Sequence, residues 1–417
     1  LTTRPRTYAP VWSWGLASSS FGFYGGTIAI AVPQLLAAQH LPESRIAALT
    51  GLLLFPGCTS FLLAPILDVR FSRKSYAFVL AAIGAICLFA GLMLQTNLTL
   101  FIGFILAGYI AINLYQAALG GWQASIVPAE KIPLLSVWVN IANIGAGGVM
   151  AYVVMLLLRS VALPVASGIL ATLIFLPTLL FFFMPQPLNE RRLMGESFRS
   201  LIGAIFGLLR RREVLLLLLL FLLPSSSFAL TNILGGLGAD FHTPELMVSL
   251  LSGLGVSVAG VLACVLGGPL CARLPLRRLY LGIGIVGGVF TLSLLLLPRN
   301  PTAFGIAMLG ENAMQALAFT VAVAIVLKTV GHGNALAATE SAILVSAQNL
   351  PIVYMQFIDG EAYQRGHLAG AFTADAGISI AVCSGLLVLL AALRNVPGWR
   401  SAASTHDNVA ELEAPSA

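Results

Sequence analysis

Long apolar runs separated by short polar turns fill most of the chain, at approximately 11–37, 44–67, 76–95, 98–119, 133–158, 162–184, 213–237, 246–271, 278–297, 301–327, 335–358 and 369–393. Each has the length a helix needs to cross a bilayer, about 20 residues. The apolar signal is far too strong for a β-barrel, whose strands alternate. The pattern predicts an all-α membrane protein with twelve transmembrane helices. The longest internal polar stretch, 185–212, splits it into six-helix bundles at 1–184 and 213–393. Within that linker Phe198, Leu201, Ile202, Ile205, Phe206 and Leu209 recur at helical spacing and end in Arg210-Arg211-Arg212, which predicts an amphipathic helix on the membrane face. The tail 394–417 is polar and acidic and is expected to be disordered.

Composition agrees: 58% of the 417 residues are hydrophobic and 9% charged, against about 25% charged in a soluble protein. This excludes a soluble enzyme, a disordered chain and a nucleic-acid module. The net charge of +6 reflects topology. With the N-terminus cytoplasmic, 18 of the 22 Lys and Arg fall inside, and only Arg45, Arg159, Arg299 and Arg365 outside. An inner-membrane protein with both termini cytoplasmic is expected. The first run is long, and Arg4 and Arg6 precede it without a small-residue cleavage site, so no cleaved signal is expected. The five Cys lie in apolar runs and the five His are scattered over loops and the tail, so neither a metal nor a cofactor is expected.

The halves echo each other. Pro65, Asp68, Arg73 and Lys74 follow the second run, and Pro269, Ala272, Arg277 and Arg278 follow the eighth, each pair offset by 204 residues. Ser18-Ser19-Ser20-Phe21 and Ser225-Ser226-Ser227-Phe228 are offset by 207. Two matches at nearly one offset indicate a parallel six-span repeat.

Six plus six spans with a basic turn after the second and the eighth resemble the major facilitator superfamily. Asp68, Arg70, Arg73 and Lys74 match its acidic and basic loop signature, with Ser72 where Gly is usual. The resemblance implies a conformational latch at these residues and at Arg277 and Arg278. Ala272 stands in place of the second acid, so the latch is expected to be asymmetric. Three segments resemble the AmpG and acetyl-CoA transporter branch: 61–68, 115–131 and 338–344. Gln116 and Gly120 stand where that branch has two Asp, and Ser60 where it often has Lys. These departures weigh against muropeptide or acyl-CoA-type substrates. The smaller siderophore permease group of the RhtX and FptX type is similar in length.

A charge at mid-bilayer costs at least about 2.5–3.5 kcal/mol, so an intramembrane carboxyl usually has a task. Glu311 lies ten residues into the tenth run and is the candidate proton-coupling residue, with Gln315 one turn further on the same face. Glu340 lies closer to a helix end, where water can reach it. Gln116, Asn140, Asn143, Asn232, Gln315 and Gln348 are expected to face the bundle interior, since lipid offers them no partner. They are candidate cavity residues, as is Tyr24 beside Gly25 and Gly26. For each amide, bonding between helices is the competing role.

The resulting expectation is a monomeric secondary transporter, not an enzyme, that moves a small organic solute through the lipid bilayer with the proton as coupling ion. Siderophore uptake is the leading substrate class. A muropeptide- or acyl-CoA-type permease and a transport-dead sensor or scaffold are the alternatives. The charge pattern makes one test direct: a reporter fused after Gln364 should read as external and one after Gly331 as internal. The opposite pair of readings would overturn the topology.

Overall fold

The computed structural model describes residues 9–185 and 198–393, and within them all regular elements are helical. Eight spans run without a large interruption: Val11–Ala37, Arg73–Met93, Leu98–Ile126, Ala129–Ser160, Leu163–Phe183, Glu245–Arg273, Leu276–Leu296 and Pro301–Val330. They are the first, third to sixth and eighth to tenth spans. A 57-residue stretch, Ala337–Leu393, turns back at His367, whose φ of 49° and ψ of −146° are not helical. It therefore supplies the eleventh span, 337–366, and the twelfth, 368–393. The second span (43–68) and the seventh (212–241) are broken, which completes twelve spans in two bundles of six. The linker stretch 186–197, the tail 394–417, Arg4 and Arg6 lie outside the described residues.

Local chemistry sets the starts and breaks. Ser72, Asn97 and Asn300 each accept the backbone N–H three residues on, capping the third, fourth and tenth spans. Pro56 and Pro65 divide the second span into short helical pieces that end at Asp68. In the seventh span, helix Arg212–Leu222 stops before Pro224, with Leu223 in the extended form that a following Pro favours. Ser226 and Phe228 then take positive φ (55° and 49°) before helix resumes at Thr231–Leu234.

The first and fifth spans cross at backbone distance. A Cβ on Gly22 would lie 2.2 Å from the Asn143 carbonyl oxygen, and one on Gly26 2.2 Å from that of Gly147. Small residues at such crossings allow the packing that holds membrane helices together. Large apolar side chains such as Ile86, Phe182 and Leu266 point outward.

One end of the bundle carries the turns at 69–72, 127–131, 274–275 and 331–336 together with helix Phe198–Leu209; we call it the linker end. There, buried side chains from both halves form one continuous apolar cluster, from Trp14, Leu67 and Trp122 to Leu217, Tyr280 and Leu344. Toward the far end the halves have separate clusters, one around Tyr24, Phe101 and Leu170, the other around Leu234, Phe304 and Phe372. The second and eleventh spans follow the same division. The Asn349 side chain donates to the Gly57 carbonyl at 3.2 Å, while Phe55 and Phe357 nearer the far end are exposed. The halves are sealed at the linker end; toward the other end the second and eleventh spans part, while the fifth stays packed on the eighth, with Gly148 against Ser257.

The glycine crossing predicts a contrast. Gly22→Val should sharply reduce the yield of monodisperse protein in size-exclusion chromatography. Gly25→Ala should leave it unchanged, since a Cβ there meets nothing within 4 Å. Equal yields from the two variants would contradict the crossing.

Candidate functional site

Asp68 ends the second span at the linker end and is fully buried. Its Oδ1 accepts Arg73 Nε and Nη2 at 3.0 and 2.8 Å and the Ala338 N–H at 3.2 Å. Its Oδ2 accepts the Thr339 N–H at 2.8 Å and the Thr339 hydroxyl at 2.7 Å. Ala338 and Thr339 form the first turn of the eleventh span, whose free N–H groups and dipole favour an anion. Arg73 is 2% exposed and also donates to the carbonyls of Asn334 and Ala335, both at 3.1 Å. One buried ion pair of the N-terminal half thus meets both the loop before the eleventh span and that span's start.

The other basic residues behave differently. Lys74 turns back into its own half, with Nζ 3.4 Å from the Met184 carbonyl and over the Trp122 ring, so it does not reach across. Arg70 is exposed in the turn, with φ of 64°. Arg277 faces Glu213 of its own half, and Arg278 is beside it. The second copy of the motif therefore makes no counterpart to the Asp68 contact, because Ala272 cannot accept hydrogen bonds. Sequence reasoning missed a neighbouring contact: Glu340, 1% exposed, accepts Asn334 Nδ2 at 2.6 Å and lies 3.4 Å from Arg211 at the linker helix.

Above the latch a narrow cavity lies between the halves. Phe21, Ser60, Asn113, Gln116, Gln123 and Ser341 line it, with Val and Leu side chains from the fifth, tenth and eleventh spans. The fourth and eleventh spans approach closely in its wall: a Cβ on Gly120 would be 2.7 Å from Ser341 Oγ. Gln116 is in this lining, with Oε1 unpaired.

Several other expected cavity residues are elsewhere. Tyr24 is buried within the N-terminal bundle, donating to the Ile105 carbonyl at 3.2 Å and stacked on Tyr109. Asn140 donates to the Ser136 carbonyl one turn back. Gln315 donates to Thr231 Oγ1 at 2.9 Å and to the Phe228 carbonyl at 3.3 Å, tying the tenth span to the break in the seventh. Asn143 is half-buried at the crossing with Gly22, Asn232 is exposed and Gln348 is buried; none is in the lining. Satisfying an amide inside a bundle competes with presenting it to solute, and here the bundle wins at Asn140 and Gln315.

Glu311 is also outside the cavity. It is fully buried within the C-terminal half, where Oε1 and the Thr291 hydroxyl of the ninth span share a hydrogen bond. Asp359 of the eleventh span and Asp375 of the twelfth, 0% and 3% exposed, complete an acidic group. Asp359 interacts electrostatically with both Asp375 and Glu311. Asp375 was legible as a charge inside an apolar run. Asp359 was not, because the eleventh helix continues eight residues past the predicted end at 358.

The sequence pattern of the Major Facilitator Superfamily matches residues 13–339. No curated protein matches the chain in sequence. Among solved structures, the proton:xylose symporter XylE is similar with a TM-score of 0.67 at 16% identity, covering 93% of this chain and 96% of its own. FucP, in the outward conformation, gives 0.65 at 14% identity, with 90% and 99% covered. The human organic anion transporter MFSD10 gives 0.65 at 17% identity, with 90% and 98% covered.

The latch geometry generates a prediction. Asp68→Asn leaves Arg73 buried without its counter-charge, a loss of about 3 kcal/mol to the sealed linker end, or roughly a hundredfold in its population. Thiol labelling of Ala338→Cys from that side should rise accordingly with expression unchanged. Unaltered labelling would deny Asp68 a role in the seal.

Proposed function

Because the chain belongs to the Major Facilitator Superfamily, we propose that it carries a small organic solute across the inner membrane by alternating access, with proton coupling, and that siderophores are the substrate class. The carrying observation is the cavity between two halves whose buried side chains form one cluster at the linker end and separate clusters toward the other. A binding site enclosed by two separable bodies is what alternating access requires.

The positive-inside count puts the linker end in the cytoplasm. The arrangement is then outward-open, with the Asp68–Arg73 pair as the latch that seals the cytoplasmic side. Release of that pair would free the start of the eleventh span and let the halves rock. The seal and the cavity both lie within one chain, so a single chain suffices.

The cavity lining supports the substrate class by its chemistry. The unpaired Gln116 oxygen and the hydroxyls of Ser60 and Ser341 stand among aliphatic groups and the Phe21 ring, while the amide N–H groups of Asn113 and Gln123 serve the Tyr109 and Trp14 carbonyls, and the lining has no charged residue. Such a wall suits a ring-bearing chelate whose polar atoms are largely satisfied by its metal. It offers no cation for the phosphates of an acyl-CoA. The metal ion in such a chelate is cargo.

Proteoliposomes test the proposal. Ferric siderophores should accumulate when the outside is acidified, and an uncoupler should abolish accumulation. Glu311→Gln should still bind solute but fail to concentrate it. Uptake that ignores the proton gradient would remove the coupling, and absence of uptake across phenolate and hydroxamate siderophores would remove the substrate class.

A further inference from the structure

The acidic group in the C-terminal half is outside both the latch and the cavity. Glu311, Asp359 and Asp375 project from three different helices and are each at most 3% exposed. Among the described residues, no Lys, Arg or His forms an ion pair with any of them. Four carboxyl oxygens have no hydrogen-bond partner: Glu311 Oε2, both of Asp359, and Asp375 Oδ1. Three ionised carboxylates cannot share a dry site without a positive ligand, because desolvation and mutual repulsion both oppose their charge.

Among the described residues, Thr291 supplies the one hydrogen bond given to Glu311. Its hydroxyl lies 3.0 Å from the Gly287 carbonyl and also contacts Glu311 Oε1. It serves Glu311 Oε1 and leaves Oε2 without a partner. The Asp359 carboxyl is fully buried with, among the described residues, only Asp375 and Glu311 as charged neighbours, and a proton is the ligand that fits, since an ionised group there has nothing to solvate it. A metal ion fits less well: among the described residues, no three acidic, His or Cys side chains are arranged to hold one.

We propose that Glu311, Asp359 and Asp375 together form a proton site enclosed in the C-terminal half, separate from the solute cavity. This rests on the proton-coupled reading above and deepens it: proton and solute occupy different places, and packing couples them. The connection runs along the tenth span. One turn after Glu311, Gln315 holds the Phe228 carbonyl and Thr231 at the break of the seventh span. Loss of protons from more than one of the three carboxyls puts like charges on neighbouring spans. Their repulsion shifts the turn that carries Gln315, and with it the seventh span.

Two measurements on the full chain in detergent, without solute, test this. Infrared spectra should show the carbonyl band of un-ionised carboxyl groups at neutral pH, diminished in Glu311→Gln, Asp359→Asn and Asp375→Asn. Asp359→Glu should restore it if Asp359→Asn folds poorly. Spin labels at Arg45→Cys and Arg365→Cys, at the far-end tips of the second and eleventh spans, should report a separation that changes between mildly acidic and alkaline pH. In Asp375→Asn that pH dependence should be lost. No un-ionised carboxyl band in the unsubstituted chain, or a band and a separation indifferent to all three substitutions in folded protein, would overturn the proposal. Since neither readout uses solute, failed siderophore uptake with these signals intact would strike only the substrate reading.

Discussion

A carboxylate and a guanidinium, both sealed from water, hold the linker end together. Removing two charges from solvent costs several kcal/mol each, and attraction between them offsets this only when the remaining donors and acceptors are also used. Asp68 meets that condition with five hydrogen bonds, and two backbone N–H groups and a hydroxyl among the donors come from the opposite half. Full burial of the pair therefore requires the halves to be together. The rest follows from that requirement: the continuous apolar cluster at this end, the near contact of Gly120 with Ser341, and the separate clusters toward the far end.

The same physics acts with opposite sign in the C-terminal half. There the acidic groups have no cation, so protons must supply what Arg73 supplies to Asp68. The sequence repeat explains why the molecule is not symmetric. Ala272 replaces the acid of the second turn, so Arg277 remains with Glu213 inside its own half. The buried ion pair of the N-terminal half, hydrogen-bonded across to the eleventh span, makes one end a switchable seal. In the proposed reading the buried acids make the C-terminal half the one that responds to protons.

The apolar runs and the basic turns made the number of spans, the two bundles and the repeat legible, because hydropathy and charge act locally. Asp68 was legible for the same reason, as an acid at a helix end beside a basic turn. Lys74 shared that turn but not its role, since its longer stem lies over Trp122. The intramembrane amides were harder. Tyr24 and Gln315 carry the residue chemistry of a cavity wall, yet which face of a helix meets the partner half is a tertiary fact. A continuing helix concealed Asp359, and the approach of Glu311, Asp359 and Asp375 needs three spans in register.

The central claim is that solute crosses only when the sealed end opens. A Cβ at Gly120 would lie 3.7 Å from Ser341 Cβ, within the range a disulfide requires. Gly120→Cys with Ser341→Cys, oxidised in proteoliposomes, should abolish uptake, and reduction should restore transport. Undiminished uptake with the disulfide fully formed would contradict alternating access through this interface.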